Sequence, residues 1–143
     1  MKKIALMLIA VVLVSSGAFA AGNLAVGTTL GFASLKYQFS PDVTGSLGLN
    51  NFSGAATGTG ILVKVDYNLA KAGNVQPNIG LYYTTNGAAA ATTILGITWG
   101  VTAMVESNLS LGADIILVNQ STLAGANTTG LLPGIALAAA YTL

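Results

Sequence analysis

The 143-residue sequence has no cysteine, no histidine and very little charge. Without cysteine there is no disulfide framework, no thiolate metal site and no lipid-modified cysteine behind a leader. Without histidine the commonest general base and the commonest transition-metal ligand are gone, and a hydrolytic triad of the usual form cannot be assembled. No catalytic residues, no metal and no cofactor are therefore expected. Charged residues make up 6% of the chain against a hydrophobic fraction of 53%, whereas a soluble globular domain carries about a quarter charged residues. Long apolar runs are also missing. Beyond the first twenty residues none reaches the roughly 18–20 that a membrane helix needs, because glycine and small polar residues interrupt each candidate. Neither phosphate-binding glycine pattern is present, Gly-x-x-x-x-Gly-Lys-Ser/Thr or a Gly-x-Gly-x-x-Gly that opens a helix.

What is there begins with a leader. Lys2 and Lys3 form a basic start, Ile4–Val14 an apolar stretch, and Ala18-Phe19-Ala20 a small-x-small cleavage site. Residues 1–20 read as a secretory signal peptide of bacterial type, cleaved after Ala20, and residues 21–143 as one domain. Without the leader three cations (Lys36, Lys64, Lys71) stand against four anions (Asp42, Asp66, Glu106, Asp114), a net charge of −1. That leaves no basic patch for nucleic acid and no polybasic lipid-binding tail.

The mature chain alternates. In Ile61–Leu69, Ile61, Val63, Val65, Tyr67 and Leu69 share one parity, and Leu62, Lys64, Asp66 and Asn68 the other. A strand throws successive side chains to opposite faces, so one face is oily and the other carries a cation and an anion. The same alternation marks Leu24–Leu30, Ser34–Phe39, Val43–Asn50, Gln76–Thr84, Thr93–Val105, Leu109–Val118 and Leu131–Leu143. This predicts eight strands. Ser40-Pro41-Asp42, Ala70–Val75 and Glu106–Asn108 read as short turns, Gly31–Ala33 as a tight connection, Thr85–Ala91 as an intermediate one, and Asn51–Gly60 and Asn119–Gly130 as long polar loops. An apolar chain without a spanning helix satisfies its backbone in lipid only as a closed barrel. The expected fold is all-β, an eight-stranded antiparallel up-and-down transmembrane barrel.

With its alternation, the SLKYQFSPD second strand and turn, the GLYY fifth strand and a strand running to the last residue, the chain over about residues 22–143 resembles the small eight-stranded outer-membrane barrels of Gram-negative bacteria. These form the broad superfamily of OmpA-, OmpX- and OmpW-like proteins. The resemblance implies the outer membrane as location, with membrane lipid and the outer-membrane assembly machinery as partners. The final strand is similar to that machinery's recognition signal: Tyr141 supplies the aromatic third from the end, and Leu143 stands where a terminal aromatic is usual.

The candidate sites follow from parity. Lys36, Lys64, Asp66 and Asp114 all fall on the inward face, where an unpaired charge costs several kcal/mol, so a neutral, paired lumen cluster of structural role is expected. Such a cluster lacks the single-sign ring that selects ions. Tyr37, Tyr67, Tyr83, Trp99 and Tyr141 share the outward parity and read as membrane-interface aromatics, and Tyr82, on the inward parity, as interior filling. The function expected is a non-enzymatic barrel with a structural role or one mediated by its loops. The alternatives are a porin-like narrow channel or transporter for small or hydrophobic solutes, a soluble periplasmic lipocalin-like binding barrel, and a self-assembling surface β-protein.

Overall fold

The computed structural model describes residues 24–52, 58–87 and 91–143; the expected signal peptide and its cleavage site lie outside them. Eight strands follow one another: β1 (Leu24–Thr29), β2 (Phe32–Ser40), β3 (Val43–Phe52), β4 (Gly58–Asn68), β5 (Val75–Thr85), β6 (Thr92–Met104), β7 (Leu109–Leu123) and β8 (Ala126–Thr142). Each pairs antiparallel with the next, and β8 pairs with β1 to close the barrel. The eight-stranded antiparallel barrel expected from the alternation is therefore the fold.

The alternation sets which face is which. Along β4, Val63, Val65 and Tyr67 face out while Leu62, Lys64 and Asp66 are buried. The same holds on β5, where Ile79, Leu81 and Tyr83 face out and Asn78, Tyr82 and Thr84 are buried. Large apolar side chains cover the outer wall, and most of the buried residues are polar or charged. This is the reverse of an ordinary soluble sandwich or lipid-carrying barrel, in which the enclosed face is the apolar one.

Four boundaries differ from those read in the sequence. The first connection is Leu30–Gly31 rather than Gly31–Ala33, because Thr29 already pairs with Phe32. Both turn residues have positive φ, 50° and 80°, the pairing of angles that fits the right-handed twist of a two-residue hairpin. Second, Asn119–Gly130 is not a long loop. Its Asn, Thr and Ser residues lie on paired strands as far as Leu123↔Ala126, with only Ala124–Gly125 as the turn; backbone pairing with β6 and across the hairpin outweighs the weak strand preference of the asparagines. Third, β3 and β4 pair as far as Phe52↔Gly58, so Asn51–Gly60 shrinks to residues 53–57, outside the described residues. Fourth, the last strand begins at Ala126 rather than Leu131, which puts Pro133 well inside it. The proline is accommodated at an irregularity where Leu132 and Pro133 stand opposite the single residue Leu117, and Leu132 has φ 49°. A bulge of this kind is where a sheet tolerates proline.

The hairpin turn Ala124–Gly125 has the same angles as the first, 50° and 84°, but alanine pays a steric penalty there that asparagine largely avoids. Ala124 is exposed. Ala124→Asn is expected to stabilise the barrel by about 0.5–1 kcal/mol, read as a higher urea midpoint of the refolded protein.

Wall height is uneven. β1 has 6 residues and β8 has 17, and their pairing runs only from Ala25↔Thr142 to Thr28↔Ala139. At its upper limit the Ala139 amide donates to the Thr28 hydroxyl instead of to a ladder carbonyl. From Ala126 to Ala138, β8 has β7 on one side and, among the described residues, no strand on the other.

Candidate functional site: the charged interior

The interior has three levels. At the end that carries the chain termini lies a polar recess of about 190 Å³, lined by residues that include Lys36, Asp66, Asn68, Lys71, Gln76 and Asn78. Above it is an ion cluster. Above that, Phe32, Leu62 and Tyr82 pack together, with Leu30, Ile94 and Ile116 against them. Leu62 is fully buried and Lys64 is 3% exposed, so side chains fill the barrel at these levels.

The ion cluster is centred on one ammonium. Lys64 Nζ lies 2.8 Å from Asp66 Oδ1 and 2.8 Å from Asp114 Oδ2. The second contact has hydrogen-bond geometry; Asp66 Oδ1 makes an ion pair without it. Asp66 is two residues from Lys64 on β4 and hence on the same face, whereas Asp114 comes from β7, across the barrel. Glycines on the strands between make room. A Cβ on Gly80 would overlap Asp66 Oδ1 and lie 2.6 Å from Thr98 Oγ1 and 2.7 Å from Lys64 Cε. A Cβ on Gly100 would overlap Asp114 Oδ1 and lie 2.9 Å from Asn78 Oδ1. The carboxylates thus lie over bare backbone, which in so narrow a barrel is the space that lets three charged side chains meet.

Lys36 stands apart from this cluster. It faces inward on β2 and lines the recess. Among the described residues no carboxylate lies within ion-pair distance of it. Of the four inward charges singled out by parity, the structure brings three into contact and leaves the fourth facing open space.

The apolar level holds two aromatic rings, Phe32 and Tyr82. Tyr82 is 4% exposed and lies over Gly96, where a Cβ would stand 2.5 Å from its Cε1. Its neighbour across the wall is Asn119, which pairs with Gly96. The sequence reading missed that neighbour, because it placed Asn119 in a loop and continued one parity through Leu117. The irregularity between Ile116 and Val118 shifts the alternation by one and brings Asn119 opposite Gly96, on the inward face. The sequence offers little signal for it, since Asn119 opens the polar run Asn119-Gln120-Ser121-Thr122.

The outward aromatics sort by height. Tyr37, Tyr67 and Tyr141 lie within a few residues of the strand ends beside the termini, while Tyr83 is near the opposite end of β5 and Trp99 is in the middle of β6. Tyr67, Tyr83, Trp99 and Tyr141 are at least 40% exposed. Tyr37 is partly covered by Phe39, edge to face at 5.0 Å between centroids. Leu143 extends the seam, its amide donating to the Leu24 carbonyl at 2.9 Å.

Comparison with protein-family models, with curated proteins and with solved structures finds no match to this chain.

Proposed function

We propose that this protein is a transmembrane barrel of the bacterial outer membrane, exported by a cleaved leader, non-enzymatic, and with a structural or surface-interaction role. One observation carries the reading. The wall is apolar outside and holds its ions within, from Leu35 and Val65 to Leu81, Ile97, Leu111 and Leu137 on the exposed side. Water would penalise so large an exposed apolar surface, whereas hydrocarbon favours it and requires a closed sheet. The tyrosines near the terminus-bearing end suit the polar boundary of such a membrane, and Trp99 its interior. The polar β7–β8 hairpin from Asn119 to Gly130 rises past the top of β1 and is the element best placed to meet a partner at the surface.

The apolar level of Phe32, Leu62 and Tyr82 above the ion cluster supports a closed barrel over a channel. Two measurements test the proposal. The single tryptophan makes depth readable: brominated acyl chains are expected to quench Trp99 fluorescence in reconstituted vesicles, while a water-soluble quencher leaves it nearly unchanged. Strong quenching from water, or extraction of the native protein as a soluble monomer without detergent, overturns the membrane reading. In planar bilayers no steady conductance is expected, and a sustained ion current overturns the closed-barrel reading in favour of a transporter.

A further inference from the structure

The polar recess is not accounted for by a structural barrel. It lies at the terminus-bearing end, and the buried Lys64 and Leu62 are not part of its lining. A structural plug would place its charges in contact, as Lys64 does with Asp66 and Asp114. Lys36 breaks that pattern. It lines the recess, and among the described residues no carboxylate lies within 4.0 Å of its ammonium. Asp66 lines the same recess and makes its one close contact, through Oδ1, with Lys64. The two residues come from β2 and β4, with only β3 between them: Lys36 is opposite Ser46, and Asp66 opposite Thr44. Their backbones are therefore about 10 Å apart across the wall. A cation and an anion face one cavity without touching each other.

The rest of the lining agrees with this polarity. Asn78 is 5% exposed, and its Oδ1 has no hydrogen-bond partner among the described residues. It is one strand over from Asp66, next to Gly80, which Asp66 faces. Asp66 makes this side of the recess the anionic one. On the other side Lys36 donates, with Lys71 exposed in the turn before β5. A small anion alone would meet Asp66, and a small cation alone would meet Lys36. A molecule carrying both charges meets neither problem, and charge-assisted hydrogen bonds at both ends are the strong ones.

We propose that the recess is a binding site for a small zwitterion of the amino-acid class, its carboxylate held by Lys36 and its ammonium by Asp66 with Asn78 beside it. The site is on the terminus-bearing side, and it exists whether the outer wall meets lipid or not, so the inference stands apart from the membrane reading.

The test uses the full mature chain refolded in detergent micelles and titrated calorimetrically with glycine, β-alanine and 4-aminobutyrate, which separate the two charges by increasing lengths. Acetate and methylammonium serve as single-charge controls. At least one ω-amino acid is expected to bind at least about ten-fold more tightly than either control, because each control makes only one of the two charged contacts. Lys36→Gln is expected to remove that advantage, and Lys36→Arg to keep part of it. Lys36 lies outside the Lys64 ion cluster, so both variants are expected to fold, which heat-modifiable gel mobility verifies. Absence of saturable binding by all three amino acids overturns the proposal. So does binding of acetate as tight as that of the amino acids, or binding undiminished in Lys36→Gln. Should Lys36→Gln fail to fold, the comparison of amino acids with controls on the unmodified protein decides alone.

Discussion

Lys64→Met is expected to destabilise the folded barrel by about 3–5 kcal/mol, the usual cost of leaving a buried partner charge uncompensated. The methionine keeps an unbranched apolar stem and removes the ammonium that lies 2.8 Å from each of two carboxylates. Asp66 and Asp114 would then face each other in an interior where Lys64 had been 3% exposed. The measurement is urea unfolding of the refolded protein, followed by Trp99 fluorescence. The triple variant Lys64→Met, Asp66→Asn, Asp114→Asn is the essential companion. With no ion left to desolvate it is expected to regain most of the lost stability, since a buried ion cluster is worth little against neutral groups of the same shape. If the single variant loses less than about 1 kcal/mol, the interior is wet enough to screen the carboxylates as a surface would. The cluster would then have to be redescribed as solvated.

Gly27→Val is expected to prevent barrel closure. Gly27 pairs with Ala140 across the seam between the first and last strands. A Cβ there would overlap the Ala139 carbonyl oxygen and lie 2.6 Å from Ala140 Cα and 2.8 Å from the Ala139 carbonyl carbon. All three are backbone atoms, so no rotamer change relieves the clash. The seam is the shortest ladder in the barrel, running only from Ala25↔Thr142 to Thr28↔Ala139, and it has little pairing to lose. A cost of about 3 kcal/mol or more follows, seen as loss of the compact, heat-modifiable band. Gly134→Ala is the control. Its Cβ would meet nothing within 4 Å, and it is expected to leave stability unchanged or raise it by a few tenths of a kcal/mol, since glycine inside a strand carries an entropic cost. If both variants fold equally well, the seam is looser than its geometry states.

The alternation of Ile61–Leu69 made the strand legible, and the absence of cysteine, charge and spanning runs made its inverted sense legible too. Lys64, Asp66 and Asp114 could be assigned to one face because parity is a local property. Which of them touch is not local. Asp114 reaches Lys64 from a strand 50 residues away, across glycines whose role appears only when the wall is closed. Lys36 has the same parity as Lys64 and a different fate, which no pattern within β2 distinguishes. The polar hairpin was misread for a related reason. Asn119, Ser121, Thr122, Asn127 and Thr128 have the composition of a loop, and only their pairing partners make them strand. The irregularity at Leu117 could not be read either, since one extra residue in a bulge changes no residue type.

The low side of the wall has a consequence for any bilayer around it. From Ala126 to Ala138 one edge of the last strand lacks a neighbour among the described residues, and acyl chains offer a peptide group nothing to bond. Were the wall set in a bilayer, headgroups and water would have to dip toward the barrel above the Leu30–Gly31 turn. Such a one-sided dimple costs fractions of a kcal/mol per ångström of mismatch. Two dimples that overlap would cost less than two apart, so in a bilayer the membrane itself would favour neighbouring molecules with their low sides facing, without any contact between the proteins.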